Sequence, residues 1–430
     1  MKKIFFAIVL FSLILIININ CYARGSVTVR YVGSISMGYY EVIMNYNNDN
    51  DYQMGQLYAK ALLSQDADLE TRFARYFKDS LSAGDYNEMM TRVQRIKNQI
   101  PQEYRDFING LASQLNGGTD NNREDDVLSV DEVFYFSLLS EIHRLNQCSV
   151  VAVYGEASDT GKPIIGRLVD WSGKLQGVVY YINKGNKKTI NIGTTLLSQS
   201  VSTGLNHHGL FAAVLDAPTG QPFPDLASDT YYSYHFDLRY ALENYRTIDD
   251  IAYYLSQKKY VFNHLILLGD SKTVKVLEND LEGSRALRDS DSNLNSDITW
   301  EFPNAIGAVN AFLLENNYDN FSFNPFNTYR WQSIKDQLSS YLSPDNKISV
   351  NEMKSITTYY GNDIDKITDG GIMNFLTQQI VIFDSKNHEL HVFFRNNRSI
   401  GTENTETSFD VDNPEFLIIP LKSIKSKSYK

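Results

Sequence analysis

The sequence predicts an α+β fold rather than a doubly wound parallel sheet, and two observations predict it. Through the first third, apolar residues recur at three- and four-residue spacing, the period of amphipathic helices. From Cys148 onward the pattern turns to β-branched runs broken by Gly, Asp and Asn, the mark of strands joined by tight turns. Helices gathered ahead of strands, with more helices between later strands, argue for segregated layers.

Composition narrows the classes. The chain has 430 residues, 43% hydrophobic and 21% charged, which excludes a disordered chain, a collagen-like repeat and a polytopic membrane protein. A chain of this length can build a core without disulfides or metal. Net charge is −11, and the basic residues gather only in a short tail of Lys422, Lys425, Lys427 and Lys430. A phosphate-backbone binder needs a basic stripe, so nucleic acid is not an expected partner. Aromatics at 13% point to strands and an apolar pocket.

The elements follow in order. Lys2 and Lys3, an apolar run from Ile4 to Ile17, and Cys21-Tyr22-Ala23 have the form of a secretory signal peptide cut after Ala23. The run is short against the ~20 residues of a spanning helix, so no stable membrane insertion is expected once it is removed. Asn18 and Asn20 disfavour a lipid anchor on Cys21. The exported protein would be periplasmic or secreted, with Cys148 as its one cysteine. By count alone, that thiol is either a buried core residue or a reactive one.

Helices are predicted over Tyr52–Gln65, Glu70–Leu81, Tyr86–Gln99 and Gln102–Leu115. An exposed loop follows over Asn116–Asp126, and Ser129-Val-Asp-Glu132 is a capping box opening a helix to Leu145. Strands are predicted at Cys148–Tyr154, Pro163–Val169, Gly177–Asn183, Lys188–Ile192 and Gly209–Asp216. Helices follow near Tyr232–Tyr245 and Ile248–Gln257, then a hairpin of Val261–Leu268 with Lys272–Glu278. A short strand at Ala305–Asn310 precedes helices near Asn327–Tyr341 and Val350–Tyr359, and Gln378–Asp384 pairs with Glu389–Arg395. The organisation expected is a signal peptide at 1–23, a helical N-terminal segment at 24–147 and a catalytic core at 148–430.

Around Cys148 the chemistry concentrates. Nineteen residues on lies Arg167, and three further Asp170, in Gly166-Arg-Leu-Val-Asp170-Trp171. If the two segments pair as antiparallel strands, a guanidinium and a carboxylate flank the sulfur, and the cation favours thiolate.

Cys148-Ser-Val-Val-Ala, followed by Gly161-Lys-Pro-Ile-Ile-Gly-Arg-Leu-Val-Asp-Trp171, resembles the nucleophile hairpin of cysteine-type N-terminal-nucleophile (Ntn) hydrolases. These include the choloylglycine hydrolases, the acid ceramidase-like amidases and the acyl-coenzyme A:6-aminopenicillanic-acid acyltransferases. Leu168 stands where the family usually has Asn. Gly204-Leu-Asn-His-His-Gly-Leu210, Ala308-Val-Asn310-Ala-Phe312, Thr328-Tyr-Arg330 and the closing hairpin of Val381–Asp384 with Leu390–Phe393 are similar to later family segments in the same order. The resemblance spans roughly Ser129 to Arg395.

The resemblance implies a four-layer αββα sandwich and a precursor that cleaves itself between Gln147 and Cys148; the amphipathic N-terminal helices are expected to keep the two fragments associated. Cys148 would be nucleophile and, through its freed α-amine, base; Asp170 would orient the amine and Arg167 poise the sulfur. Asn310 with a backbone N–H would hold the oxyanion, and Arg330 would support Asp170 or Asn310, or meet a charged leaving group. Asp216 and Trp171 are the substrate-binding candidates. Asp216 stands where choloylglycine hydrolases carry a donating Asn, and an ionised Asp cannot donate. The implied activity is hydrolysis of an N-acyl amide, with acyl transfer to an amine, or a non-catalytic binding protein on the same scaffold, as alternatives.

No cofactor is implied. His207-His208 lack partners at ligand spacing, and adjacent strand residues face opposite sides, so no metal is expected. Tyr231, Tyr232 and Tyr234 could line an apolar acyl pocket or sit in the core or its rim, and Asn206 is expected to serve a turn.

Overall fold

A computed structural model describes residues 24–34, 38–143, 147–171, 176–218, 231–318, 320–322, 324–366, 370–395 and 414–421. The signal-peptide expectation at 1–23 lies outside them.

Two sheets form the centre. The first joins β1 (Ser26–Val32), β2 (Tyr39–Asn45), β5 (Val178–Lys184), β6 (Lys187–Gly193), β7 (Thr203–Asn206), β8 (Phe211–Asp216), β9 (His264–Gly269), β10 (Val274–Asn279) and β11 (Arg285–Arg288), in that spatial order. The second runs β12 (Ala305–Ala308), β3 (Gln147–Val153), β4 (Ile164–Asp170), β13 (Thr377–Asp384), β14 (Glu389–Phe394) and β15 (Leu417–Pro420). Pairings are antiparallel except β2 with β5.

Alternation along the strands builds the layers, since successive side chains leave opposite faces. Cys148, Val150 and Ala152 of β3 point into the core between the sheets, with Val179, Ala213 and Leu267 opposite. Val151 and Val153 point the other way, onto α8 (Pro325–Tyr341) and α9 (Val350–Thr357). The first sheet's outer face carries α1 (Asp51–Gln65), α2 (Leu69–Ser80), α3 (Ala83–Lys97), α4 (Gln102–Ala112) and α5 (Val130–His143) over β2 and β5. Further along it lie α6 (Tyr234–Asn244) and α7 (Ile248–Ser256). Helix, sheet, sheet, helix: the α+β αββα sandwich is the fold. The close approach of α9 to β4 depends on Gly166, where a Cβ would meet Thr357 and Met353 at 2.5 and 2.9 Å.

The N-terminal segment differs from the helical expectation at its start. β1 and β2 precede α1 and extend the first sheet, with Tyr40–Asn45 in register against Val178–Asn183. The segment is thus built into the sheet as well as covering it. The Ser129 capping box forms: Glu132 N–H donates to Ser129 Oγ at 3.2 Å, and Ser129 N–H donates to the Glu132 carboxylate at 2.7 Å. Helix α5 is apolar on nearly all sides and almost wholly buried.

Candidate active site

The register of one hairpin places the chemistry. Val150 faces Arg167 and Cys148 faces Val169, so Arg167 lies diagonally from Cys148 on the inter-sheet face. Its Nη2 donates to Cys148 Sγ at 3.6 Å and to the Val214 carbonyl at 3.1 Å. Gln147 faces Asp170 and Ser149 faces Leu168, which turns Asp170 to the opposite, helix-facing side.

The sequence expectation that guanidinium and carboxylate both flank the sulfur is therefore half met, because three residues separate Arg167 from Asp170 and an odd step changes face. The ion-pair partner of Asp170 is Arg330, at 3.3 Å, with both side chains fully buried. Asp170 also accepts from Thr377 Oγ1 at 2.7 Å and Asn374 Nδ2 at 3.1 Å. Burial pushes its carboxyl upward, while Arg330 and these donors hold it down.

Arg330, on the inner face of α8, is the hub. Its Nη1 donates to the Cys148 carbonyl and to Ser149 Oγ, each at 3.0 Å. Its Nη2 donates to Asn310 Oδ1 at 3.0 Å and Asn327 Oδ1 at 3.3 Å. The same Asn310 oxygen accepts Cys148 N–H at 2.7 Å, and Asn310 Nδ2 donates to the Asp216 carbonyl at 2.7 Å. Two donors on one end and a carbonyl on the other fix which way the amide faces. Asn310 follows β12 in a segment braced by Glu278, which accepts from Leu313 N–H at 3.0 Å and from Arg288 Nε at 3.0 Å.

Cys148 is buried at the wall of a narrow cleft shared with Arg167, Trp171, Asp216, Leu139 and His235. Burial pushes the thiol above its usual value, and Arg167 is the largest influence opposing that. The sulfur is held as a thiol, and a base is needed to ionise it. Arg167 itself is 1% exposed, with Nε and Nη1 buried and unpartnered within the described residues.

The five proposed catalytic residues thus lie in one connected network, with Asp216 and Trp171 on the cleft wall. Sequence reasoning missed Asn327, Asn374 and Thr377, which reach the site through Arg330 and Asp170, and His235, which lines the cleft. Nothing local marks Asn374 or Thr377, since both lie more than two hundred residues from Asp170 in the chain. His207 and His208 depart from expectation: they sit in the turn after β7, where the backbone does not alternate, and their rings lie 3.8 Å apart. Asn206 serves that turn, its Oδ1 accepting His208 and Leu210 N–H. Of the tyrosines, Tyr234 lines the cleft and stacks on His264.

No family model matches the chain, and no curated protein does. It is similar to solved structures. One is the Caenorhabditis elegans ortholog of N-acylethanolamine-hydrolyzing acid amidase, at 14% identity over 55% of this chain and 93% of that one, TM-score 0.38. Others are a mutant conjugated bile acid hydrolase from Clostridium perfringens, at 13% over 65% and 98%, TM-score 0.37, and penicillin V acylase from Agrobacterium tumefaciens, at 13% over 64% and 86%, TM-score 0.37.

Proposed function

We propose that the chain is an exported, self-processing cysteine amidohydrolase that cleaves a linear amide, R–CO–NH–R′, through an acyl-thioester on Cys148. The observation that carries this reading is Arg167 Nη2 at 3.6 Å from a thiol at the wall of a cleft, with the nitrogen of the same cysteine held by Asn310.

Processing comes first. Cys148 Sγ adds to the Gln147 carbonyl carbon, the thiol proton passes to the Cys148 nitrogen, and the peptide C–N bond breaks to a thioester. Water then hydrolyses it, leaving a Gln147 carboxylate and a free Cys148 α-amine. That amine, ordinarily near ~7.7–8.0, is the base the raised thiol requires, so no histidine partner is needed.

In turnover the amine takes the thiol proton as Sγ adds to the substrate carbonyl, and returns it to the leaving nitrogen as the C–N bond breaks. Water resolves the acyl-thioester to acid and thiol. Asn310 Oδ1 and the Arg330 hub fix the amine's position, and the second Asn310 amide hydrogen is a candidate oxyanion donor. Arg167 offers its two unpartnered nitrogens to the charge developing beside the sulfur.

The N-terminal fragment would stay bound after cleavage. Its β2 is hydrogen-bonded to β5, Tyr58 donates to the Leu196 carbonyl at 2.6 Å, and Leu139 of α5 lines the cleft. Denaturing gels of exported protein test the reading. Two fragments are expected, the second beginning at Cys148 by N-terminal sequencing, while Cys148→Ala remains whole and inactive. Normal cleavage or amidase activity in that variant refutes it.

A further inference from the structure

Asn310 holds the nucleophile's nitrogen, yet the sheet does not hold Asn310. The ladder between β12 and β3 ends at Ala308 opposite Val150, two residues short of it. Asn310 stands instead at the apex of a three-residue turn, closed by Ala311 N–H donating to the Val309 carbonyl at 2.7 Å. A turn of that size sets the direction in which its central side chain leaves the backbone. The contact of Asn310 Oδ1 with Cys148 N–H at 2.7 Å is therefore only as firm as the chain on either side.

Both flanks are gripped from the other sheet. Val276 of β10 lies in the core between the sheets, with Arg288 of β11 as its cross-strand partner and Glu278 two residues on. Alternation turns all three toward the second sheet. Arg288 Nη2 donates to the Gly307 carbonyl at 2.8 Å, three residues before Asn310. Glu278 takes the far side. Its carboxylate accepts Leu313 N–H at 3.0 Å, Leu314 N–H at 3.1 Å and Asn317 Nδ2 at 2.9 Å. Arg288 Nε, 3.0 Å from the same carboxylate, closes the clamp. Both side chains are fully buried, and neither lines the cleft.

Other groups touch this segment from its own side. Asn320 Oδ1 accepts Phe312 N–H at 2.9 Å, and Asn327 Nδ2 donates to the Asn310 carbonyl at 3.1 Å, but both belong to the chain that follows it. Glu278 and Arg288 tie it to the first sheet. That sheet also carries Asp216 of β8, whose carbonyl accepts the other end of the Asn310 amide at 2.7 Å. Clamp and carbonyl thus share one frame. We propose that the Glu278–Arg288 pair is a positioning device for the reaction, setting the turn that aims Asn310 at the Cys148 nitrogen. Glu278 is a positioning residue that acts through Asn310 and touches neither sulfur nor substrate. Its effect on rate rests on the amide-cleaving reading; its effect on geometry does not.

The test reads geometry apart from chemistry. Crystal structures of the Cys148→Ala protein, with and without Glu278→Gln, give the distance from Asn310 Oδ1 to the nitrogen of residue 148. Glu278→Gln is expected to open it beyond about 3.5 Å, outside hydrogen-bond reach, and an unchanged distance overturns the proposal. With Cys148 present, Glu278→Gln is expected to slow self-cleavage about 10–10²-fold, the scale of a small misplacement at a reacting group. In an Asn310→Ala background the same substitution should change the rate less than about twofold, because the residue it acts through is gone. Equal slowing in both backgrounds makes Glu278 a general prop and overturns the proposal. Glu278→Gln also leaves Arg288 buried without its anion, so a companion carries Arg288→Met as well and removes both charges. That protein is expected to regain the lost denaturant midpoint while cleavage stays slow and the distance stays open. Cleavage that recovers along with stability overturns the proposal. If the distance opens but the wild-type protein remains one uncut chain, the positioning assignment stands and the self-processing cysteine reading fails.

Discussion

Arg330 Nη1 donates to the carbonyl oxygen of Cys148 at 3.0 Å, so one side chain from α8 ties the backbone of the nucleophile to the carboxylate of Asp170. Asp170 lies with Ser149 on the helix-facing side of the β3–β4 hairpin, and from that side the same Nη1 also donates to Ser149 Oγ at 3.0 Å. Cys148 is thereby fixed on both sides of its Cα: its nitrogen by Asn310 and its carbonyl by Arg330.

Arg330→Met leaves Asp170 buried without its cation. Breaking one partner from a buried pair costs about 3–5 kcal/mol, so the guanidinium midpoint is expected to fall by a corresponding margin. Pairing it with Asp170→Asn should restore part of the loss, because the uncompensated charge is gone. Arg330→Lys should not rescue cleavage, since a single ammonium cannot span Cys148, Asp170 and Asn310 together. Wild-type stability in Arg330→Met would show that the pair is not the hub described.

Asn310→Ala removes the acceptor for Cys148 N–H and Arg330 and the donor to Asp216 at one stroke. The nucleophile's nitrogen is then unguided. Processing is expected to slow by about 10²–10³-fold, the scale of losing one oriented donor in an oxyanion site. A time course of fragment appearance on gels measures it, with circular dichroism checking the fold. Processing at the normal rate would remove Asn310 from the machinery.

How much of this was legible in the sequence follows from distance along the chain. Cys148 and Arg167 stand on one hairpin, whose β-branched strands and intervening turn fix their register almost by themselves. The face of Asp170 was equally fixed by period-two alternation, yet a reading by proximity alone placed it beside the sulfur. β1 has an alternating run, Val27, Val29 and Tyr31, but as an edge strand it is largely exposed, and its neighbour β2 pairs across more than a hundred residues to β5. No local pattern announces such a partner. The same holds for Thr377 and Asn374, ordinary polar residues until the fold sets them against Asp170.

Thr377→Val tests one of those long-range partners. Its hydroxyl, 2.7 Å from Asp170 Oδ1, favours the ionised carboxylate, opposing the upward push of burial. Without it the carboxyl rises further, so more acid remains protonated at a given pH. If ionised Asp170 orients the Cys148 amine, the acid limb of the pH–rate profile for amide cleavage moves to higher pH and the alkaline limb stays. Stability should fall by about 1–3 kcal/mol for the unmade bond. An acid limb that stays in place would assign Asp170 a purely structural part.

Glu141 carries the remaining prediction, which concerns stability. It is buried at the end of α5, accepting from Ser233 Oγ at 2.6 Å and His235 N–H at 3.3 Å, where α6 begins. Burial raises its carboxyl to about 8, and nearby Asp237 adds to the rise. An unfolded glutamate titrates near ~4.3, so between ~4.3 and about 8 the folded protein holds a proton that the unfolded chain has lost. Stability from this group is therefore complete below ~4.3 and is lost as pH rises through about 8, at up to about 1.4 kcal/mol per pH unit. His143 and His235, both lowered to about 4 by burial, act with the opposite sign between about 4 and their ordinary 6.5. Comparing wild type with Glu141→Gln cancels them. Relative to wild type, the Gln variant is expected to gain stability steadily from pH 5 to pH 8, read as the shift in denaturant midpoint. A difference that stays flat, or that favours wild type as pH rises, would mean that Glu141 is ionised in the folded protein throughout.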